Sequence, residues 1–96
     1  MSALSILVVE DDESLQNLLR SLLSQKGCEV RIVGSGQEAI RVAHEIPVHV
    51  LLTDLKLPDI DGLTVLERVL KIDSKVIGIV MTGVVVPTVT FAAVAL

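Results

Sequence analysis

The sequence predicts an α/β fold built on a parallel sheet, and three observations support this prediction. Short apolar runs of strand length alternate with segments whose apolar residues recur at helical spacing. Two of these runs end directly in carboxylates, at the kind of sheet edge where open α/β folds bind ligands. The resulting order, β-α-β-α-β-α-β, implies right-handed crossovers between parallel strands. A chain of 96 residues is long enough for one modest domain, which we assign to residues 1–96.

The first predicted strand covers residues 4–9 and leads into an acidic segment and a leucine-rich helix. Five leucines occupy the i, i+3, i+4, i+7 and i+8 positions of a core-facing stripe: Leu15, Leu18, Leu19, Leu22 and Leu23. Lys26 and Gly27 end this helix with a cation and a residue suited to a left-handed turn. A second, shorter strand is predicted from Cys28 to Val33.

The next part of the chain repeats the alternation of helix and strand. Gly34-Ser35-Gly36 turns the chain into a helix over about 37–45, and Pro47 blocks its continuation. The inward residues of that helix would be Ala39, Ile40 and Ala43. Three further elements are predicted in order: a strand at 48–53, a helix presenting Leu63, Leu66 and Leu70 on one face, and a strand at 76–81.

The last segment, residues 76–96, contains no charged residue. It is long enough for a membrane span, but Gly78, Gly83 and Pro87 interrupt it, and we favour a buried strand followed by a second apolar element. Pro87 as a first helical residue favours a helix there, whereas the β-branched residues that follow it would equally suit a strand. We expect the helix.

Composition excludes several classes of function. The only aromatic residue is Phe91, so a surface that stacks on bases or sugars is not expected. A net charge of −4 argues against binding to nucleic acid or to an anionic membrane. Cys28 is the only cysteine, which fits a reducing compartment. The first residues lack the basic and apolar regions of a signal peptide, and we expect a cytoplasmic protein.

Acidic residues follow both the first and the third predicted strands. Glu10-Asp11-Asp12-Glu13 follows the first, and Asp54 ends the third, before a loop marked by Pro58 and Gly62. If these strands are parallel neighbours, at least three negative charges meet, and a hard divalent cation such as Mg²⁺ would neutralise them. The alternative is that the acidic residues are solvated at helix N-termini, and for Asp12 and Glu13 it remains open.

Two other kinds of site are compatible with parts of the sequence. Gly34 to Ala39 matches the dinucleotide-binding pattern G-x-G-x-x-A, although a complete βα unit precedes it and the acidic cluster would repel a pyrophosphate. An aspartyl-phosphate phosphatase would need an acid two residues after Asp54, where this chain has Lys56. His44 and His49 lack metal-ligand spacing and are predicted to lie at the surface or at a strand edge.

Three motifs together resemble the response-regulator receiver domain of two-component signalling. They are Val8-Val9-Glu10-Asp11-Asp12 with the leucine-rich helix, Thr53 to Gly62, and Val80-Met81-Thr82-Gly83. The resemblance covers residues 4 to about 83. It implies a flavodoxin-like fold with strand order 2-1-3-4, and a phosphorylation-controlled switch that is not itself an enzyme.

The resemblance also implies roles for individual residues. Asp54 would accept the phosphoryl group, and Thr82 would hydrogen-bond to it. Mg²⁺ would be held by the carboxylates of Asp11 and Asp54, by the backbone carbonyl of Lys56, and by Glu10 either directly or through water. Partners would be a sensor histidine kinase or phosphotransfer protein and a downstream effector, without direct binding to nucleic acid or membrane.

The C-terminal segment departs from the family pattern. Receiver domains carry a lysine at the end of a fifth strand, and none of Lys26, Lys56, Lys71 and Lys75 occupies that place. We therefore expect an incomplete receiver domain without its fifth strand, weak phosphoryl acceptance, and self-association through an exposed sheet edge. A nucleotide-binding fragment using Gly34 to Ala39, and an interaction module without phosphotransfer, remain the alternatives.

Overall fold

The computed structural model describes the backbone of residues 3–83 and 89–94, and the side chains of residues 3–81. Its elements follow the predicted alternation as far as the fourth strand. They are β1 (Ser5–Val9), α1 (Glu13–Gln25), β2 (Glu29–Val33), α2 (Gly36–Glu45), β3 (Val50–Asp54), α3 (Gly62–Ile72), β4 (Ile77–Gly83) and β5 (Val89–Val94). The sheet order is β2-β1-β3-β4-β5, and the predicted order 2-1-3-4 of the parallel strands is confirmed.

The parallel pairing places the ends of β1 and β3 side by side. Val9, the last residue of β1, pairs with Thr53, and Asp54 follows directly. On its other side β1 pairs with β2, in a register that sets Val9 opposite Val33. Because parallel strands end at the same edge of a sheet, the acidic residues after β1 are neighbours of the last residue of β3.

Helices α2 and α3 cover one face of the sheet with a tightly packed core. Leu7, Val9, Leu51 and Val80 point to this face from the strands. The helices contribute five buried residues: Ala39, Val42, Val65, Leu66 and Val69. A Cβ atom at Gly78 would lie 2.2 Å from a methyl group of Leu66, so β4 reaches this helix only because residue 78 has no side chain.

Helix α1 packs on the opposite face, and within the described residues it is the one helix on that side. Leu19 joins Ile6, Val8, Leu52 and Met81 in a smaller core. Two of the five predicted core leucines are instead largely exposed, Leu18 at 54% and Leu22 at 49%. The prediction was wrong for them because a single helix on a twisted sheet contacts it along a narrow strip.

The same correction applies on α3, where Leu63 is exposed, because the buried strip runs through Val65, Leu66 and Val69. Helix α2 buries Ala39 as predicted, while Ile40 and Ala43 are half-buried and Val42 completes its inner face. Side-chain caps begin all three helices: Asp12 accepts from the amide of Leu15, Ser35 from that of Glu38, and Asp61 from that of Thr64. Gly27, with φ 78°, reverses the chain after α1.

The segment after residue 88 is a strand and not the predicted helix. Strand β5 runs antiparallel to β4, with Gly83 opposite Val89 and Gly78 opposite Val94. The expectation that the outer edge of β4 stays unpaired is therefore wrong. Without β5, the N–H and C=O groups along this edge of β4 would be unpaired, and their need for hydrogen-bond partners outweighs the helix-starting preference of Pro87. Pro87 itself lies outside the described residues, together with 84–86, 88 and 95–96.

Strand β4 carries apolar side chains that are partly exposed. Ile77 is 58% exposed and Ile79 is half-buried, as expected if these residues of β4 are only partly covered. No helix in the described ranges has both the length and the apolar character that crossing a bilayer requires.

Candidate metal centre at the ends of strands β1 and β3

Three carboxylates converge at the carboxyl edge of the sheet. One oxygen each from Glu10, Asp11 and Asp54 lies within 4.8 Å of the other two. Glu10 is buried, Asp54 is half-buried and Asp11 is exposed, so the group opens to solvent on one side. The predicted neighbourhood of Glu10, Asp11 and Asp54 is confirmed.

Glu10 is the most constrained member of this group. Its side chain is 1% exposed, and its Oε2 atom accepts a hydrogen bond of 2.9 Å from the amide of Asp12. Its other oxygen, Oε1, is buried and has no hydrogen-bond partner among the described residues. The backbone of Glu10 is fixed on both sides, because its N–H donates to Val33 and its carbonyl accepts from the side chain of Gln16.

The surroundings of Glu10 disfavour its charged form. The pKa of Glu10 is raised from 4.5 to about 7, mainly by burial and to a smaller degree by the neighbouring carboxylates of Asp54 and Asp11, against the lowering effect of the Asp12 amide. A cation among these oxygens would remove this cost and give the orphaned Oε1 atom a partner. The arrangement therefore fits a hard divalent ion that prefers oxygen ligands.

Asp12 and Glu13 belong to helix α1 and not to the carboxylate group. The Oδ1 atom of Asp12 accepts from the amide of Leu15 at 3.0 Å, which makes Asp12 the N-cap of α1. Glu13 lies in the first turn, where the helix dipole favours a negative charge. Of the two interpretations left open for these residues, the helix N-terminus is the one that the structure supports.

The loop from Leu55 to Asp61 is closed tightly at its base. The amide of Leu55 donates to the carbonyl of Met81 at 3.0 Å, and the amide of Gly62 donates to the carbonyl of Leu55 at 2.8 Å. A Cβ atom at Gly62 would lie 2.1 Å from the carbonyl oxygen of Asp54, so only glycine fits there. Thr53 also donates its hydroxyl to that oxygen at 2.9 Å. These contacts fix the backbone of Asp54.

The tip of the same loop is attached to helix α2. Asp59 accepts hydrogen bonds from the amides of Gly36 at 2.9 Å and Gln37 at 2.8 Å, and these bonds lower the pKa of its carboxyl. Ile60 lies over Gly36, where an added Cβ atom would come within 2.4 Å of it. Helix N-terminal amides are the groups that would bind a pyrophosphate in the dinucleotide interpretation. Two of them already bind Asp59, and Gly36 is explained by packing.

The remaining predicted site residues lie near this edge. Lys56 is exposed in the loop two residues after Asp54. Thr82 follows Met81, the residue of β4 that pairs with Asp54; its side chain lies outside the described part of the chain. His44 is exposed on α2, and His49 is exposed before β3 and accepts from the amide of Ser5, in agreement with the prediction for both histidines.

The amino-acid pattern and this geometry correspond to one family. Residues 6–95 match the family model of the response regulator receiver domain. The chain belongs to the response regulator receiver family. The match extends beyond residue 83, where the motif-based resemblance ended, and includes strand β5.

Curated relatives of this receiver domain are longer regulatory proteins. The transcriptional regulatory protein TrcR of Mycobacterium tuberculosis is 39% identical over 72 residues, which are 75% of this chain and 28% of that protein. The DNA-binding response regulator MtrA of Mycolicibacterium smegmatis is 38% identical over 78 residues, which are 81% of this chain and 34% of that protein. The receiver domain thus spans about a third or less of these relatives.

Solved structures of receiver domains share the fold. A CheY-like receiver domain protein from Methanospirillum hungatei superposes with a TM-score of 0.83 at 29% identity, covering 90% of this chain and 69% of that one. The receiver domain of the sensor histidine kinase PA1611 from Pseudomonas aeruginosa has a TM-score of 0.77 at 27% identity, covering 82% and 66%. That structure has a magnesium ion coordinated in its active site cleft.

Proposed function

We propose that this receiver domain is a Mg²⁺-dependent phosphoacceptor that switches a downstream partner. The observation that carries the proposal is the group of three carboxylates, Glu10, Asp11 and Asp54, with the buried Oε1 atom of Glu10 lacking a partner. A structural salt-bridge network would have placed a basic side chain there. Instead, the ion pairs of the described residues all belong to Arg41 on the surface of α2.

Glu10, Asp11 and Asp54 would hold the ion, together with the backbone carbonyl of Lys56. When bound, Mg²⁺ supplies positive charge that offsets the repulsion between a carboxylate nucleophile and a phosphoryl group. Glu10 contributes the buried ligand and Asp11 the exposed one. Asp54, whose backbone is fixed by contacts with Thr53 and Gly62, would act as the nucleophile.

The transfer itself needs little from the protein beyond position and charge. A carboxylate oxygen of Asp54 would form a bond to phosphorus while the bond from phosphorus to the donor breaks and the donor keeps that electron pair. The hydroxyl of Thr82 would donate to a phosphoryl oxygen. The sequence of β5, Val89–Val94, contains no lysine, so the neutralising charge would come mainly from the ion and labelling should be slow.

The partners would be those of two-component signalling. A sensor histidine kinase or a phosphotransfer protein would supply the phosphoryl group in the cytoplasm, and an effector domain or protein would respond. We propose that the receiver domain is a switch and not a stand-alone enzyme. Its DNA-binding relatives are much longer, and direct nucleic-acid binding is not proposed for a domain with net charge −4.

The test is labelling with acetyl phosphate, followed by mass spectrometry under conditions that preserve acyl phosphates. We expect a Mg²⁺-dependent gain of one phosphoryl group in the wild type, none with EDTA, and none in Asp54→Asn. Asp12→Asn is the matched control, because Asp12 caps α1 and should not be needed for labelling. Labelling that persists in Asp54→Asn would contradict the assignment of the acceptor.

The alternative is an interaction module that has lost phosphotransfer. The antiparallel β5 without a lysine favours this alternative. It would be supported if the wild type binds Mg²⁺ at residues 10–12 and 54–57 but takes up no label over hours. Amide shifts confined to Gly34–Ala39 on addition of a nucleotide would instead favour the dinucleotide interpretation.

A further inference from the structure

The two halves of the carboxylate site are joined through the turn between β2 and α2. Glu10 is attached to the start of this turn, because its amide donates to the carbonyl of Val33 at 3.0 Å. Asp59, in the loop that follows Asp54, is attached to its end through the amides of Gly36 and Gln37. The turn from Val33 to Gln37 therefore bridges the Glu10 side and the Asp54 side of the site.

Among the described residues, Asp59 is the one residue of the loop segment 56–60 that makes hydrogen bonds to another element. The base is closed by the Leu55–Met81 and Gly62–Leu55 bonds, and within the loop the side chains of Leu57 and Ile60 are half-buried against the core. The carboxylate of Asp59 makes two hydrogen bonds to α2, and Ile60 packs against Gly36. Lys56 lies between the closed base and this second attachment.

We propose that Asp59 is a positioning residue for the metal site, which holds the loop against α2 and so keeps the backbone that follows Asp54, including Lys56, in place beside the carboxylates. This inference rests on the proposed function, since it assumes that the carboxylates bind Mg²⁺. Partners behind the first ligands of a metal commonly change its affinity about 10–100-fold when removed. Asp59 would act in this way through the backbone.

Loss of the negative charge of Asp59 would by itself weaken the binding of Mg²⁺. Two substitutions of Asp59 separate the loss of charge from the loss of the hydrogen bonds. Asp59→Ala removes the negative charge and both hydrogen bonds. Asp59→Asn removes the charge but keeps one oxygen that accepts from a helix amide, as asparagine does at helix N-termini. A positioning role predicts that asparagine rescues much of the affinity, whereas a purely electrostatic role predicts that the two variants behave alike.

The matched control is Asp61→Ala, two residues along the same loop. Asp61 is also an exposed carboxylate that caps a helix, since it accepts from the amide of Thr64 at 2.7 Å. Losing the hydrogen bonds that either carboxylate accepts at a helix N-terminus should lower the urea midpoint by a similar amount. Any difference in Mg²⁺ affinity between Asp59→Ala and Asp61→Ala then reflects the attachment of the loop to α2 and not general loss of stability.

The experiment titrates MgCl₂ into each variant and follows the amide NMR shifts of residues 10–12 and 54–57, with urea unfolding of the same samples. We expect the dissociation constant to rise about tenfold in Asp59→Ala, about threefold in Asp59→Asn and less than about twofold in Asp61→Ala. Equal weakening in Asp59→Ala and Asp59→Asn, or no weakening in either, would overturn the proposal.

A second measurement separates this proposal from the proposed function. Hydrogen exchange of the Gly36 and Gln37 amides, which donate to Asp59, should be faster in Asp59→Ala and unchanged in Asp61→Ala, with or without Mg²⁺. If the wild type shows no Mg²⁺-dependent shifts, the proposed function fails while accelerated exchange would still show the attachment. If exchange is unchanged in Asp59→Ala, the positioning role fails even when Mg²⁺ binds.

Discussion

The two faces of the sheet are closed to very different degrees. On one face, α2 and α3 bury Val65, Leu66 and Val69 almost completely, and Leu66 packs directly over Gly78. On the other face, α1 leaves Leu18 and Leu22 about half exposed. The difference shows that two helices are needed to close one side of a sheet of this width, because one helix covers only the strands directly beneath it.

The functional edge depends on the closed face more than on the open one. Gly62, which fixes the backbone of Asp54, is the first residue of α3, and the amides that hold Asp59 begin α2. Helix α1 contributes its N-cap Asp12 and the side chain of Gln16, both of which contact Glu10. Three predictions concern the closed face, the functional edge and the open face, and they are ordered by the size of the effect that we expect.

The largest effect should come from truncating a leucine on the closed face. Leu66→Ala removes a side chain that is 1% exposed and leaves a cavity over Gly78, which we expect to cost about 3–4 kcal/mol of unfolding free energy. Leu22→Ala is the matched control on the open face, where the side chain is 49% exposed and the expected cost is below about 1 kcal/mol. Urea unfolding measures both, and equal costs would show that the open face is covered in solution.

An intermediate effect should come from pH, through Glu10. Its pKa is raised from 4.5 to about 7 in the folded chain, so the folded state holds this proton more tightly than the unfolded state. The protonated Glu10 therefore stabilises the folded state fully below pH 4.5. As the pH rises to about 7 this contribution is lost, and the free energy of unfolding falls by about 1–2 kcal/mol after allowance for solvent screening.

Urea unfolding between pH 4.5 and 7.5 in EDTA tests this pH dependence. Glu10→Gln should flatten the profile over that window, because glutamine does not titrate. Saturating Mg²⁺ should restore stability near pH 7, since an ion bound to the folded state alone stabilises it. A wild-type profile that rises through the window would contradict a raised pKa for Glu10.

The smallest effect on stability should come from substituting an exposed residue of the open face, although that substitution should measurably change association. Ile77 is 58% exposed beside β5, and we predict weak self-association that buries this apolar surface against a second copy. Ile77→Lys should change the unfolding free energy by less than about 0.5 kcal/mol while lowering association in sedimentation equilibrium. Glu29→Lys on the opposite edge strand β2 is the control, and a wild type that stays monomeric at high micromolar concentration would rule the association out.

Much of the fold could be predicted because local patterns and tertiary structure agree in residues 4–83. The leucine spacing, the glycine turns and the apolar runs each indicate one kind of element, and the observed bounds differ from the predicted ones by one or two residues. The exposure of Leu18, Leu22 and Leu63 could not be predicted, because periodicity shows which side of a helix is apolar but not how wide its contact is. Strand β5 was missed because its partner, the edge of β4, is a tertiary feature.

The carboxylate site was predictable to a similar extent. The neighbourhood of Glu10, Asp11 and Asp54 follows from two strand ends and the parallel order. The role of Asp59 could not be predicted, because its partners Gly36 and Gln37 precede it by more than twenty residues and are main-chain groups without a sequence signature. The glycine at 62 after Asp61 was a usable signal, since a close approach of two backbones demands a residue without a Cβ atom.

The attachment of Asp59 and Ile60 to the start of α2 also bears on how receiver domains of this kind can be recombined. The loop after Asp54 and the turn before α2 fit each other. The loop supplies the carboxylate of Asp59 and the side chain of Ile60, and the turn supplies the two amides that bind Asp59 and the glycine over which Ile60 lies. A loop transplanted alone into a host with a bulkier residue at position 36 would meet a side chain where Ile60 must lie. The unit that can be exchanged between such domains is therefore the pair of segments, 33–37 with 55–62, and not the loop by itself.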